Sequence, residues 1–487
     1  MAAEHHTASQ TLARFVADLS WDRLPAQVTR RAKDCIVDAL ANAARGSTMQ
    51  PWSDSLAGFA QAYGGGGRSR VVGRAGMRLH APHAALVNGA YVHAFEFDSI
   101  RDPSAGIHPG ASIVPAALAA CEETGRDGRE AITAFVAGCE VAFRVAASTH
   151  HSPEKLGFHA PALTGPYGAA AAAGHVFGLD AAQMTNAFGL VGSMTGGILA
   201  FSKASTGTVV KRLHFGRSAE AGVVAARLAA EGHDGPETVL DGKFGFLEVF
   251  ARDGEPERLT RGLGRQWETL RICIKRYPCH VNAQPSIQAL RELMSEQGFE
   301  AEDVSEIVVD CHEALLALHN IPEPQNLMKA QYSVPFSLAI ALHRDPDDPA
   351  SFDDSALLHA GIRTTARERI KLRQREQGGL EAAARAAGGY SAKQARITVS
   401  LRDGRRFARD ANAFRGMADT PFSEEDLRRK FRHLAEPAIG ARNCDAAFER
   451  INALEDFASL DIEALFGTGS GRQPAAERAP RQKQKTE

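Results

Sequence analysis

The sequence predicts a mainly helical protein with a smaller α+β unit inserted toward its C-terminal end. Three observations carry this expectation. Residues 8 to about 265 repeat apolar side chains at helical spacing with dense Ala and Gly, residues 266–420 mix short β-rich runs with helical ones, and helical spacing returns over 421–466. The economical assembly is a large helical domain made of 1–265 and 421–466, with an α+β domain, 266–420, inserted between its two parts. The remaining stretch, GTGSGRQPAAERAPRQKQKTE at 467–487, is poor in apolar residues and reads as a disordered tail.

The elements follow in order. Pro25 stands where a first helical turn tolerates it, and Val28, Ala32, Cys35, Ile36, Ala39, Leu40 and Ala43 recur at three and four, with Gly46 expected as the C-terminal cap. The glycine run YGGGGRSRVVG at 63–73 lacks the Lys-Ser/Thr ending of a phosphate-binding loop and reads as a turn into a short strand. Ala-dense runs at 111–121 and 167–174 allow close helix packing, and Asp180 with Gln183 forms a capping-box signature. Beyond 266, TLRICIKRY and SEIVVDC read as strands, and ARITVSLRDGRRFARDA as a hairpin turning at Asp403-Gly404. QPSIQALRELM and KAQYSVPFSLAIALH read as helices among them.

Composition limits the function. The 487 residues carry a formal net charge of −2, which gives no one-sided basic signature for nucleic acid or membrane. Seven scattered cysteines, never spaced as CxxC, suggest neither a disulfide framework nor a zinc ribbon. The start MAAEHHTASQTLARF has no signal-peptide pattern, so a cytoplasmic protein is expected.

Four segments concentrate chemistry. HAFEFDSIRDPSAGIHPGA, 93–111, offers His93, Glu96, Asp98, Asp102 and His108, readable as a catalytic loop or a polar connection. Its histidines are fifteen apart across Pro103 and Gly106, which is not a helical zinc spacing. In GFHAPALTGPYG, His159 precedes a helix start that favours an anion, or is simply a capped loop histidine. TVVKRLHFGRSAEAG puts Lys211 and His214 on one face ahead of a helix at 218–231, and its apolar neighbours imply a buried lysine in need of a negative partner. In IKRYPCHVNAQPS, which also carries Lys275, Cys279 reads as packing and His280 stays open.

In this order the segments resemble the MmgE/PrpD family from about residue 8 to 466. The carriers are LPAQVTRRAKDCIVDALANAARG, HAALVNGAYVHAFEFDSI, IHPGASIVPAALAACEE, GFHAPALTGPYGAAAAAGHVFGLD, KRLHFGRSAEAGVVAARLAAEG, IKRYPCH, AQYSVPFSLAIAL and KFRHLAEP. The resemblance implies a helical domain with an α+β lid, a homodimer, an active site between the domains, and no metal or organic cofactor. Its members dehydrate 2-methylcitrate, decarboxylate cis-aconitate or epimerise iminodisuccinate. Each reaction passes near a carbanion beside a carboxylate, so each site must bind anions and move a proton.

Carried over by position, the resemblance implies His108 as the principal proton-transfer residue, His214 and His280 assisting, and Asp98 orienting a partner. Glu96, His159 and Lys211 are expected to bind the substrate. Ser99 and Ile100 depart from the frequent Asp-Thr of the acidic motif, and Phe336 stands where several members carry tyrosine; both departures imply ligands missing from the cleft. The expectation is a lyase of a small polycarboxylate, 2-methylcitrate-dehydratase-like. The alternatives are an epimerase, a cis-aconitate-type decarboxylase, or a dimeric polycarboxylate-binding protein without catalysis.

Overall fold

The computed structural model describes residues 6–103, 106–204, 209–375 and 395–467. Residues 468–487, most of the expected disordered tail, lie outside the described residues. The helical part runs α1 (Ala8–Asp18), α2 (Ala26–Ser47), α3 (Trp52–Gly64), α4 (Ala81–Val92), α5 (Pro109–Ser112), α6 (Val114–Thr124), α7 (Gly128–Ala147), α8 (Ala160–Phe177), α9 (Ala181–Gly192), α10 (Ala200–Lys203) and α11 (Val210–Ala230). The Asp180–Gln183 capping box opens α9 as its sequence predicts. The glycine run becomes β1 (Gly65–Arg70), paired with β2 (Arg78–Leu79).

Helix α8 is the centre of the bundle, packed by α7 on one side and α11 on the other. It is buried from Ala160 to Gly174, so it is apolar all round rather than amphipathic. Small residues set its contacts. A Cβ on Gly222 of α11 would come within 2.3 Å of Ala169 Cβ and 2.4 Å of the Ala170 backbone nitrogen, and one on Gly138 of α7 within 2.6 Å of Gly168 O. Pro166 removes a helical donor inside α8, and the Ala162 carbonyl it would have left bare accepts from Gly196 N at 3.3 Å.

Two local expectations change. Gly46 is not a cap but lies inside α2, where a Cβ would stand 2.1 Å from Tyr91 O; its role is the close approach of α4. Lys211 and His214 are not ahead of a helix but in the first turns of α11, which begins at Val210.

TLRICIKRY yields only β4 (Ile272–Cys273), which pairs antiparallel with β3 (Ile100–Arg101) of the acidic loop. The four-stranded sheet is built instead from β5 (Val304–Cys311), β6 (Ile370–Gln374), β7 (Ala395–Leu401) and β8 (Arg406–Ala411), in the order β6-β5-β7-β8. Strand β6, parallel to β5, was not visible in sequence because IKLRQ carries the charged residues of an exposed edge. The β7–β8 pair is the hairpin expected at Asp403-Gly404, with Gly404 at φ +90. KAQYSVPFSLAIALH divides at Ser333, which caps the helix Val334–His343 with its hydroxyl. After the sheet, the helix Glu424–Ile439 returns to pack on α2. Among the described residues no helix is long and apolar enough to cross a membrane.

The Gly222 contact is testable. Gly222→Ala should destabilise the fold by about 1–3 kcal/mol through overpacking. A denaturant midpoint equal to that of the parent would show that α8 and α11 have room to separate.

Candidate active site

A cavity of about 200 Å³ lies where the helical bundle meets the segments after β4. Its histidines share one local device. His108 precedes Pro109 of α5, His159 is the N-cap of α8, and His280 is the N-cap of the short 3-10 turn Val281–Ala283. Each histidine therefore stands at the start of a helix or turn, which fixes where its ring projects.

Behind His108 lies a buried carboxylate. Asp98 Oδ2 is 2.9 Å from His108 Nδ1, and Asp98 Oδ1 is 2.8 Å from Nδ1 of His93, the C-cap of α4. Burial works against the Asp98 anion, but the two facing rings more than offset it and hold the carboxyl far below its usual range. An ionised carboxylate only accepts, so both Nδ1 atoms carry hydrogen and His108 turns a bare Nε2 toward the cavity. Burial pushes His108 down to about 4 although Asp98 pulls the other way. Phe215 of α11 packs against the rings of His93, His108 and His159 at 3.8, 4.9 and 5.5 Å between centroids, supplying part of that apolar surrounding.

Glu96 is the second buried carboxylate, and it reaches the cavity. Its Oε2 is 2.6 Å from Lys211 Nζ and its Oε1 3.0 Å from Lys275 Nζ, while its own backbone oxygen accepts from Lys275 at 2.9 Å. Its φ of +56 is a conformation rarely adopted by a residue with a side chain, held here by those bonds. Burial alone would push its carboxyl up; Lys211 and Lys275 reverse this and hold it well below the usual range. Burial likewise opposes both ammonium groups. In Lys275 the facing Glu96 wins and the pKa rises, whereas in Lys211 burial, helped by the charge of Lys275, brings it down.

His159 Nδ1 lies 2.9 Å from His214 Nδ1, so one ring donates and the other accepts. Burial holds His159 well below its ordinary value and lowers His214 to about 4. His214, expected to assist catalysis, is not part of the cavity wall but stands behind His159, with which it shares the hydrogen bond. On the far wall His280 stacks on His319, with centroids 4.2 Å apart, and both flank Tyr332, whose ring also lies 4.8 Å beneath Lys211 Nζ. Burial raises the Tyr332 hydroxyl well above its usual value and lowers His319 to about 4.

The structure thus brings Glu96, His108, His159, Lys211 and His280 to one cavity, with Asp98 directly behind it. Sequence reasoning did not assign Lys275, His319 and Tyr332 to the site. Both supposed losses are also corrected. Ser99 is buried behind the wall, accepting from Gly110 N at 3.2 Å and lying 3.1 Å from Cys35 Sγ, so only Ile100 faces the cavity. Phe336 is buried outside the cavity, whose wall takes Tyr332 four residues earlier.

His93, Asp98 and His108 form a potential ligand set, with atoms within 4.8 Å of one another. The fold has brought together histidines that sequence spacing kept apart. Both Nδ1 atoms face the carboxylate at hydrogen-bond distance, so Asp98 orients the two rings.

The MmgE/PrpD N-terminal domain matches residues 10–259 and the MmgE/PrpD C-terminal domain residues 277–455. The chain belongs to the MmgE/PrpD family. Its relatives include the cis-aconitate decarboxylase-like protein oryM of Aspergillus oryzae, 27% identical, with 94% of this chain and 96% of that protein aligned. Human cis-aconitate decarboxylase is 25% identical, with 97% of each chain aligned. The cis-aconitate decarboxylase of Aspergillus terreus is 30% identical over 58% of this chain and 59% of its own length. The relatives are enzymes, and the shifted acid–base groups gathered at one cavity make it the candidate active site of this MmgE/PrpD chain.

Two measurements check the electrostatics. Glu96→Gln leaves two buried ammonium groups facing each other and should cost about 3–5 kcal/mol of stability; an unchanged denaturant midpoint would contradict the pairing. His108 and His319 are held at about 4 against 6.5 for an unperturbed ring, so the unfolded chain binds more protons between those values. Stability should be fully present above pH 6.5 and fall as the pH drops toward 4. A thermal midpoint flat across that window would contradict the neutral rings.

Proposed function

We propose that this chain is a cofactor-independent lyase that decarboxylates a small unsaturated polycarboxylate of the cis-aconitate class. The observation that carries the reading is a single cavity with two buried ammonium groups on one side and neutral histidines with a protonated tyrosine on the others. The full-length similarity to cis-aconitate decarboxylases supports decarboxylation over the dehydration expected from sequence.

In this reading Lys211 and Lys275 neutralise substrate carboxylates while the scissile one lies against the apolar wall of Ile100 and Val281, where loss of hydration favours departure as CO2. The bonding pair left behind shifts through the adjacent double bond to the carbon beside a second carboxylate, and that carbon takes a proton. His108 delivers it. Neutral in the empty site, it faces the charge of a bound polyanion and gains a proton as substrate enters, with Asp98 stabilising the imidazolium. His159 and Tyr332 hold the remaining carboxylate oxygens. The helical and α+β parts, divided near residues 265 and 420, close over the substrate, and two copies assemble as a cytoplasmic homodimer.

A second reading, dehydration or epimerisation, is favoured by one feature: the bare Nε2 of His108 can remove a proton directly. Proton NMR of a panel of di- and tricarboxylates incubated with the enzyme separates the three. CO2 loss from an unsaturated tricarboxylate is expected; water loss or solvent exchange without it would replace the proposal, and no turnover at high enzyme concentration would favour a binding protein. His108→Ala should lower kcat by ~100-fold or more, and parent-like turnover would remove its role.

A further inference from the structure

The helix Glu424–Ile439 carries a lysine on its buried stripe, beside Leu427, Phe431 and Leu434. Lys430 is 6% exposed and does not reach the cavity. Its ammonium stands 2.6 Å from Asp38 Oδ1 of α2 and donates to Phe97 O at 2.8 Å and Lys275 O at 2.9 Å, above the Phe97 ring at 3.8 Å. Two of its N–H groups are taken up by the carbonyl oxygens, and Asp38 supplies the opposite charge beside them. A buried ion pair is weak evidence for stability, since apolar residues of similar volume often serve as well. What a lysine adds here is a donor to the two carbonyls.

Those carbonyls belong to the two segments that present the site. Phe97 immediately precedes Asp98, the acceptor of His108, and Lys275 holds Glu96. The segments are paired through Ile100↔Cys273 and Arg101↔Ile272, but the ladder stops there: Ile274 N turns away to Gly416 O at 2.8 Å. Where the next rungs would fall, two backbone acceptors are left without a donor between them, and the ammonium of Lys430 supplies it.

We propose that Lys430 is a positioning residue of the active site, clamping the Phe97 and Lys275 carbonyls so that Asp98 and Lys275 are presented to the cavity in register. The inference rests on the proposed site but not on which reaction occurs there. Lys430 acts through Asp98 on His108 and through the Lys275 backbone on Glu96. Without the clamp the two segments separate and the His108 Nδ1–H loses its fixed acceptor.

The test uses the double variant Lys430→Met/Asp38→Asn, which leaves no unpaired buried charge. In full-length protein labelled with 15N-histidine, the parent should show a low-field, slowly exchanging His108 Nδ1–H signal, assigned by its loss in His108→Gln. The double variant should unfold cooperatively yet lose or broaden that signal, and kcat should fall at least tenfold with a smaller change in KM. A parent-like signal would overturn the proposal whether or not turnover is measurable, so failure of the reaction assignment stays separate. If the double variant does not fold, Lys430→Arg carries the test: it keeps the charge but moves the donors, and an unchanged His108 signal overturns the clamp.

Discussion

The carboxylate of Glu96, buried between the ammonium groups of Lys211 and Lys275, is the contact on which the site is assembled. Lys211 comes from α11 in the bundle and Lys275 from the segment beyond β4, so one side chain joins parts of the chain distant in sequence. Any one of the three charges alone in that environment would be strongly disfavoured. Together they hold two positive groups and one negative at the edge of a cavity, leaving an excess of positive charge for an anion.

That excess also bears on His108, His159, His280 and His319. Burial first, and then nearby positive groups, oppose their imidazolium forms, and at His108 the pull of Asp98 does not prevail. In the proposed reaction a bound polyanion shifts this balance toward imidazolium, so that protonation follows substrate and proton supply is tied to occupancy. Phe215, packed among three of the rings, adds to the burial that favours the neutral forms of His108 and His159.

Much of the fold was legible because helical spacing, the Asp180 capping box and the Asp403-Gly404 hairpin are local signals. Gly46 misled because a glycine near a helix end serves equally as a cap or as a place of close approach, and only Tyr91 on α4 decides between them. At the site, Glu96, His108, His159, Lys211 and His280 were readable from family position. Lys275 was not, although a lone lysine inside the apolar run ICIKRY is a signal of burial with a partner. Tyr332 was hidden by the break at Ser333, which changes the direction of the chain between it and Phe336. The Ser99 position and His214 were expected at the cleft because sequence position fixes neighbours but not which way a side chain points.

Burial holds His108 neutral, with Nδ1–H on Asp98 and a bare Nε2 toward the cavity. The most direct measurement is a 15N NMR titration of the histidine rings in the substrate-free protein. The expected result is the neutral Nδ1–H tautomer for His108 at pH 7, persisting to near pH 5. An imidazolium at pH 7, or a neutral ring protonated on Nε2, would contradict it.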